Sequence, residues 1–248
     1  MQVGFIGSGN MAAALARGWG EPVLCTDSGS GRAAALAQEL GGEAIGSNRE
    51  LAERSDVVIL AHKPAELDAV AAEVSGAAKS IVSILGNVNQ AALKAAYPDT
   101  PVLCVEPNTP AEVGRGVFLF AAPADDDALR DAMRERFGRI GTVRDVPEAL
   151  MAVAGASAGV APAYWALFVE AWVDAAVRRG MKRELAATIV NEGMAGTAEL
   201  LRTRYEGDTL ALRRAVTSPG GSTARGLDAL ERGGVRGALS AAMDEVLG

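Results

Sequence analysis

A glycine-rich turn at the start of the chain has the residue types and spacing of a dinucleotide-binding site. The apolar run Val3–Ile6 leads into Gly7-Ser8-Gly9-Asn10-Met11-Ala12 and then into an alanine-rich segment typical of a helix. We expect Gly7 to adopt the unusual dihedrals of the turn, Gly9 to leave the backbone open to a pyrophosphate, and Ala12 to let helix and strand pack closely. The free amides and positive dipole end of the helix favour phosphate. The motif therefore predicts a bound dinucleotide rather than a purely structural turn.

The residues after the second apolar run leave the choice between NAD and NADP open. Asp27 follows that run, at the position where an acidic side chain hydrogen-bonds the ribose 2′-hydroxyl of NAD. Ser28, Ser30 and Arg32 suit the 2′-phosphate of NADP. The structural alternative is that this segment only caps the next helix. We expect NADP(H) as the preferred cofactor and NAD(H) as the alternative.

Two polar segments follow predicted buried strands, so we expect them at the ligand edge of a parallel sheet. The strand predicted over 56–61 is apolar after Asp56 and is followed by His62-Lys63-Pro64, and residues 101–105 are followed by Glu106-Pro107-Asn108-Thr109-Pro110. The prolines make the second segment a rigid turn. We expect His62, the only histidine, to line the cofactor groove rather than to act as a general base.

A second glycine-rich loop, Thr-Ser-Pro-Gly-Gly-Ser-Thr, occupies residues 217–223. Its glycines and the hydroxyls of Ser222 and Thr223 come just before or at the start of a predicted helix. Backbone amides and hydroxyls should therefore converge on a concave pocket that suits an anion, and a carboxylate fits it. The structural alternative is an ordinary N-capped helix.

The order of predicted elements divides the chain into two domains. Residues 1–146 alternate apolar strands with helices, which is typical of an α/β Rossmann-type doubly wound sheet. Residues 147–248 show only helical patterns, separated by glycines where helices end. The helix predicted over 158–179 is apolar around most of its circumference. Since so small a domain cannot bury that helix alone, we predict an all-α domain that dimerises through it.

Composition and charge argue against several classes of protein. The 248 residues are 49% hydrophobic and 22% charged, as in ordinary globular proteins, and a net charge of −7 argues against a nucleic-acid surface. We expect every apolar segment to fall short of the ~20 residues of a membrane span, and hence a cytoplasmic protein without membrane contact. Cys25 and Cys104 predict buried thiols, and with a single histidine we expect no metal site.

The chain resembles the pyrroline-5-carboxylate reductases, collinearly over essentially its whole length. The motifs that carry the resemblance are the turn at Gly7, Lys63-Pro64, Pro107-Asn108-Thr109-Pro110, Pro162-Ala163-Tyr164 and, most specific, Ser218-Pro219-Gly220-Gly221-Ser222-Thr223. The resemblance implies NAD(P)H-dependent reduction of 1-pyrroline-5-carboxylate to proline. It also implies a Rossmann domain followed by a helical domain that interlocks with its twin in a homo-oligomer.

The resemblance also implies roles for individual residues. Thr223 would hydrogen-bond the imine nitrogen, and Ser218 with the backbone of Gly221 and Ser222 would hold the substrate carboxylate. The residues implied around the cofactor are Gly7, Ser8, Gly9, Asn10 and Met11 at the pyrophosphate, Asn48 at the adenosine side, and Ala61, Lys63 and Asn108 at the nicotinamide half. The positions of Asp27, Ser28, His62 and Pro64 add these four residues to the predicted cofactor site.

Three departures from the family pattern concern the substrate more than the reaction. The family's usual Ser-Gly-Ser-Gly is Ala158-Gly159-Val160-Ala161 here, Glu106 stands where methionine is usual, and Leu85-Gly86-Asn87 replaces a turn of small residues. Glu106 either contacts the substrate by stabilising a protonated imine, or points to solvent. A reductase of a related cyclic imine is therefore the first alternative function.

Two other classes of protein compete with an imine reductase. A β-hydroxyacid dehydrogenase shares the domain order but needs a lysine on the long interdomain helix. The lysines are Lys63, Lys79, Lys94 and Lys182, all outside residues 158–179. A non-catalytic dinucleotide-binding redox sensor would have lost the second pocket, whereas residues 218–223 are intact. Both alternatives are therefore disfavoured.

Overall fold

The computed structural model describes the whole chain, Met1–Gly248, which divides into two compact units, Met1–Pro162 and Ala163–Gly248. The strands of the first unit are β1 (Val3–Ile6), β2 (Leu24–Thr26), β3 (Glu43–Ala44), β4 (Val57–Leu60), β5 (Ile81–Ser83), β6 (Val102–Glu106), β7 (Gly116–Ala122) and β8 (Gly141–Pro147). Its helices are α1 (Asn10–Trp19), α2 (Arg32–Leu40), α3 (Asn48–Arg54), α4 (Leu67–Val74), α5 (Gln90–Ala96), α6 (Asp127–Gly138) and α7 (Met151–Ala158). Short 3-10 turns lie at Pro64–Glu66, Thr109–Val113 and Glu148–Leu150.

The eight strands form one sheet in the order β3-β2-β1-β4-β5-β6-β7-β8. All pairs from β3 to β6 are parallel, β6 and β7 are antiparallel, and β7 and β8 are parallel. The chain order reverses between β1 and β4, where Ile6 pairs with Leu60. In such a doubly wound sheet a ligand binds outside the carboxyl ends of the strands at this reversal.

Helices cover both faces of the sheet, because its central strands are apolar at every position. β1 and β4 are buried throughout, as in parallel strands that are covered on both sides. Side chains alternate between the faces: Phe5 packs with Trp19 and Phe137 on one, and Ile6 belongs to the apolar cluster of the other. Burying such a side chain contributes roughly 1.5–3 kcal/mol. The two layers therefore fix the loops at the strand ends.

The second unit consists of helices and has a very small core. Its helices are α8 (Ala161–Val177, which begins two residues inside the first unit), α9 (Arg183–Thr203), α10 (Thr209–Ala215), α11 (Ser222–Arg232) and α12 (Val235–Leu247). Its buried apolar side chains are Val173, Ala186 and Leu212. The exposed ones include Trp165, Leu167, Trp172, Leu185 and Ile189. So much exposed apolar surface indicates a face that a partner covers.

The first compact unit extends beyond residue 146, the domain boundary predicted from the sequence. β8 is the last strand, but α7 packs against β7 and β8. The helix predicted over 158–179 is shorter in the structure, because α7 ends at Ala158 and α8 spans Ala161–Val177. The helical pattern thus begins where the sequence predicts, while its first helix stays attached to the sheet.

The run Glu148–Val177 is long and apolar enough to cross a membrane, judged by length and composition only. The expectation that every apolar segment falls short of a membrane span is therefore wrong. The run includes α7 and all of α8, with the exposed aromatic residues of that helix. A helix that is apolar around most of its circumference is typical both of a helix buried in protein and of a membrane span. Cys25 in β2 and Cys104 in β6 are buried free thiols, as predicted.

Candidate active site

The turn after β1 has a shape that only glycine fits. Gly7 has a φ of +97°, a conformation that other residues adopt at a cost. A Cβ atom at Gly7 would lie 2.6 Å from the carbonyl carbon and oxygen of Ala61 and 2.7 Å from the amide nitrogen of His62. These backbone atoms follow β4. The turn is therefore wedged between the ends of the two central strands, at the reversal of strand order.

The N-terminus of α1 is open and fits a pyrophosphate. Gly9 is the N-cap and provides no side-chain cap, and a Cβ built there meets nothing within 4 Å. The first N–H groups of a helix have no intrahelical partner, and the helix dipole adds positive charge there. Within the first turn of α1, Asn10 is exposed, Met11 is half-buried and Ala12 is buried. Free backbone amides that face an open surface can bind a phosphate group.

Thr26, the last residue of β2, holds two of the predicted cofactor residues. Its carbonyl accepts hydrogen bonds from Gly7 N at 3.2 Å and from Ser8 Oγ at 2.9 Å. Its hydroxyl donates to Asn48 Oδ1 at 2.6 Å, and Asn48 Nδ2 donates to Glu73 at 2.6 Å. The side chains of Ser8 and Asn48 thus stabilise the turn itself. Thr26 and Glu73 are absent from the predicted site because no motif contains them.

Asp27 uses its carboxylate to shape the loop after β2. Oδ1 accepts from Gly29 N at 2.7 Å, and Oδ2 accepts from Ala33 N at 2.8 Å and Ser30 Oγ at 2.9 Å. The bond from Ala33 N is the largest of the causes that lower the pKa of Asp27, so the carboxylate is ionised at neutral pH. Ser28 is exposed on this loop, and Arg32 is exposed at the start of α2. The hydroxyl and the guanidinium are therefore free to meet a 2′-phosphate.

The segment after β4 presents one anchored ring and two exposed residues. His62 Nδ1 lies 2.8 Å from the carbonyl oxygen of Lys63 and 4.0 Å from Glu66 Oε2. A hydrogen bond to that carbonyl requires the proton on Nδ1, and Nε2 is buried without a partner. Lys63 and Pro64 are exposed. The ring is thus held at the strand end, and its place in the cofactor groove stays a prediction.

Asn108 braces the polar segment after β6. The residue is buried, its Oδ1 accepts from Val117 N at 2.8 Å, and its Nδ2 donates to the carbonyl oxygen of Ala158 at 3.1 Å. The amide therefore ties this segment to β7 and to the end of α7. Buried amides are normally satisfied in this way. The contact between Asn108 and the nicotinamide stays a prediction.

Glu106 ends β6 and lies against α7. Its side chain is half-buried, and its carboxylate forms no hydrogen bond or ion pair within the chain. A Cβ atom at Gly155 would approach Glu106 Cδ to 3.3 Å and Oε2 to 3.4 Å. Burial raises the pKa of the Glu106 carboxyl above its ordinary value. The carboxyl therefore occupies a recess beside α7 instead of extending into solvent.

The turn after β5 keeps its backbone shape despite its unusual residues. Asn87 has a φ of +62°, in the left-handed region that favours glycine. Asparagine tolerates this region better than most residues. The replacement of a small residue by Asn87 is therefore compatible with a glycine-like turn at this edge.

In the second unit, residues 218–223 form a tight turn at the start of α11. Gly220 has a φ of +69°, and Gly221 N donates to the carbonyl oxygen of Ser218 at 3.1 Å. A Cβ atom at Gly221 would lie 2.5 Å from Ser218 Oγ. Gly221 is the N-cap of α11 and supplies no side-chain cap. The amides of Ser222 and Thr223 therefore have no intrahelical acceptor.

This turn presents donors that the chain itself does not use. Ser222 and Thr223 are exposed in the first turn of α11, and the hydroxyl of Thr217 is buried without a partner. Arg225 Nη1 donates to the carbonyl oxygen of Gly220 at 2.7 Å, and this hydrogen bond stabilises the turn. Free amides and hydroxyls at a helix N-terminus suit a carboxylate. The predicted substrate residues of this loop thus share one small surface.

Two family models match the chain. A model described as pyrroline-5-carboxylate reductase dimerisation matches residues 148–247, and one described as NADP oxidoreductase coenzyme F420-dependent matches residues 2–87. The pyrroline-5-carboxylate reductase of Synechocystis sp. is 40% identical over 197 residues, which cover 77% of this chain and 73% of that protein. The chain belongs to the pyrroline-5-carboxylate reductase family.

Solved structures of pyrroline-5-carboxylate reductases share the fold along the whole chain. The enzyme from Streptococcus pyogenes has a TM-score of 0.90 at 28% identity, with 100% of this chain and 96% of that chain covered. The enzyme from Plasmodium falciparum, with NADP bound, has a TM-score of 0.88 at 27% identity, with 100% and 95% covered. The predicted fold class, a Rossmann-type sheet followed by an all-α dimerisation domain, is confirmed.

Proposed function

We propose that this chain reduces 1-pyrroline-5-carboxylate to proline with NADP(H), as an enzyme of proline biosynthesis. The observation that carries the proposal is the intact loop 218–223 in a chain of this family. Its free amides and hydroxyls suit the carboxylate of the substrate, while the turn at Gly7 suits the cofactor. A redox sensor without catalysis would have no use for the substrate site at residues 218–223.

The proposed mechanism assigns binding and orientation to this chain. A bound NADPH supplies the hydride that the imine carbon accepts. The turn at Gly7 and the amides that begin α1 hold the pyrophosphate, and Ser218 with the backbone of Gly221 and Ser222 holds the substrate carboxylate. Thr223 hydrogen-bonds the imine nitrogen. Its hydroxyl is too weakly acidic to provide the proton that this nitrogen needs.

NADP(H) is the proposed cofactor, because the structural relative from Plasmodium falciparum binds NADP and because Ser28 and Arg32 are free beside Asp27. The remaining proposed cofactor residues are those predicted from the sequence, namely Gly7, Ser8, Gly9, Asn10, Met11, Asn48, Ala61, His62, Lys63, Pro64 and Asn108. Ser8, Asn48 and Asn108 would contribute mainly by holding the backbone in place.

The proposed functional domains are residues 1–146 for the cofactor and 147–248 for the substrate and dimerisation. The dimerisation model begins at residue 148, which supports this division although the first compact unit extends to Pro162. We also propose a homo-oligomer formed through the helical domain, in the cytoplasm and without a nucleic-acid partner. We propose that a second copy, rather than a membrane, covers the run Glu148–Val177, because the dimerisation model matches this part of the chain. The net charge of −7 supports the absence of a nucleic-acid surface.

The deciding experiment is the loss of NADPH absorbance, and separately of NADH absorbance, when 1-pyrroline-5-carboxylate is added to the purified protein. We expect oxidation of both cofactors to be measurable and NADPH to be oxidised faster. Oxidation only with a six-membered cyclic imine would favour the related imine reductase. Cofactor binding without oxidation of either cofactor by any cyclic imine would favour the redox sensor.

A further inference from the structure

A carboxyl without a partner lies on the nicotinamide half of the sheet edge. In a doubly wound sheet one mononucleotide half lies over β1 to β3 and the other over β4 to β6. The Gly7 turn belongs to the first half, so the second half receives the nicotinamide. Glu106 is the last residue of β6, and its carboxylate makes no hydrogen bond or ion pair. An unpaired carboxyl at this edge has its donor and acceptor atoms available to a ligand.

The neighbouring helix keeps the space that this carboxyl occupies. Gly155 lies in the interior of α7, where glycine is less favourable than alanine by roughly 1 kcal/mol. A Cβ atom there would lie 3.3 Å from Glu106 Cδ, closer than ordinary van der Waals contact. The absence of a side chain at Gly155 therefore leaves room for the carboxyl of Glu106. The recess persists at a position where alanine would make a better helix.

No cation of the surrounding elements forms an ion pair with Glu106. β5, β7 and α7, which pack near it, contain no titratable side chain. Several charged groups of the other neighbouring elements have partners of their own. They are Lys94 with Asp125, Arg130 with Asp127, Arg134 with Asp145, Arg136 with Glu21, and Glu148 with Gln90 N. Burial without a counter-charge favours the neutral acid.

The ionisation of the neighbouring groups agrees with this arrangement. Burial raises the pKa of Glu106, so the carboxyl keeps its proton to a higher pH than an exposed glutamate does. Burial and the charges of Glu148 and Glu106 raise the pKa of Cys104 to about 12. The thiol therefore stays neutral at physiological pH and provides no charged partner for Glu106.

We infer that Glu106 is a further catalytic residue, the acid that donates a proton to the imine nitrogen; this inference rests on the proposed function. The imine carbon accepts the hydride, and the π electron pair of the C=N bond moves to nitrogen and forms the new N–H bond. The O–H bond of Glu106 breaks in the same step and leaves a carboxylate, which regains its proton from water. The products are a secondary amine and oxidised cofactor. Glu106 thus supplies what the hydroxyl of Thr223 cannot.

The test is single-turnover oxidation of NADPH by wild-type protein and by Glu106→Gln, from about pH 5 to about pH 9, because general acid catalysis is worth tenfold or more. We expect Glu106→Gln to be at least tenfold slower than the wild type where Glu106 is protonated, and to lose the fall in rate that the wild type shows as Glu106 ionises. The NADPH dissociation constant should stay within twofold. Ionisation of the substrate affects both proteins equally, so the difference between the profiles reports Glu106.

Three variants and one titration of the free protein separate this role from a structural one. Glu112→Gln makes the same chemical change at a carboxylate that pairs with Arg17, and it should react like the wild type. Gly155→Ala should slow the wild type by displacing the carboxyl, but should leave the rate of Glu106→Ala unchanged. A carbon-13 NMR titration of labelled glutamate carboxyls should show one resonance that titrates above the others and is missing in Glu106→Gln.

The outcomes of these experiments distinguish failure of the proposed function from failure of the inference about Glu106. Absence of wild-type turnover would overturn the proposed function and this inference with it. Wild-type turnover with an unchanged rate and pH profile in Glu106→Gln would overturn the inference alone. A slower Glu106→Gln that keeps the wild-type pH profile would also overturn it, since Glu106 would then bind the substrate without giving a proton.

Discussion

Ser8, Asn48 and Asn108 use their side-chain polar atoms within the protein. Ser8 and Asn48 bond to Thr26, and Asn108 bonds to the backbone of Val117 and Ala158. At the scale of single residues, the cofactor edge therefore offers mainly backbone groups, which these side chains hold in position. Backbone amides at a helix start can bind a pyrophosphate without help from a cationic side chain.

Thr223 is the residue whose loss should affect the reaction most selectively. Thr223→Ala removes the hydroxyl proposed to orient the imine nitrogen, and the residue is exposed, so the fold should be unaffected. We expect turnover to fall at least tenfold, about 1.4 kcal/mol of barrier, with NADPH affinity unchanged. Steady-state kinetics and a binding titration measure the two effects. Thr223→Ser keeps the hydroxyl and should recover most of the rate, and wild-type turnover in Thr223→Ala would remove the residue from the mechanism.

Glu106 should also make stability depend on pH. Its pKa is raised in the folded chain by burial, so the folded state binds this proton more tightly than the unfolded state does. The stability that this proton contributes is present in acid and is lost as the pH rises through the raised pKa. Glu106→Gln has no such loss. The free energy of unfolding of the variant, relative to wild type, should therefore increase from about pH 4 to about pH 8. Urea unfolding at both pH values tests this, and a constant difference would contradict it.

At the scale of elements, the two glycines of the first turn have separable functions. Gly7→Ala places a Cβ against the backbone after β4 and forces a φ of +97° on alanine, a strain of roughly 1–2 kcal/mol before the clash is counted. Gly9→Ala meets nothing in the protein but occupies the surface proposed for the pyrophosphate. We expect Gly7→Ala to lower the free energy of unfolding, and Gly9→Ala to weaken NADPH binding at nearly unchanged stability. Equal loss of stability in both variants would contradict this division.

The elements and the site differ in how far the sequence predicts them. Apolar runs predict β1, β4 and β6, because such strands are covered on both faces. The residue at which α8 begins is not predicted exactly, since alanine, glycine and valine at residues 158–161 continue an apolar helical pattern. Thr26 and Glu73 reach the site only through the pairing of β1 with β2 and the packing of α3 with α4. Of the residues that the sequence does not predict, only Gly155 could have been noticed, because a glycine inside a helix is unusual. This glycine leaves room for the carboxyl of Glu106, which is distant in sequence.

At the scale of the whole molecule, the two units differ in how they become stable. The first buries its aromatic residues in two layers around the sheet. The second buries little and exposes the aromatic side chains of α8, within the segment that matches the dimerisation model. Its folding should therefore be coupled to association, and thermal stability should rise with protein concentration.

Trp172 provides the sharpest test of this coupling, because it is the most exposed aromatic residue of α8, at 70%. Trp172→Glu places a charge on the face proposed to be buried between two copies. Interface tryptophans contribute about 2 kcal/mol or more, so we expect the dimer dissociation constant to rise at least roughly 30-fold, measured by sedimentation velocity over a dilution series. Val113→Glu is the matched control, since Val113 is 75% exposed in the first unit, and should leave association unchanged. If Trp172→Glu associates as tightly as the wild type, α8 does not form the interface.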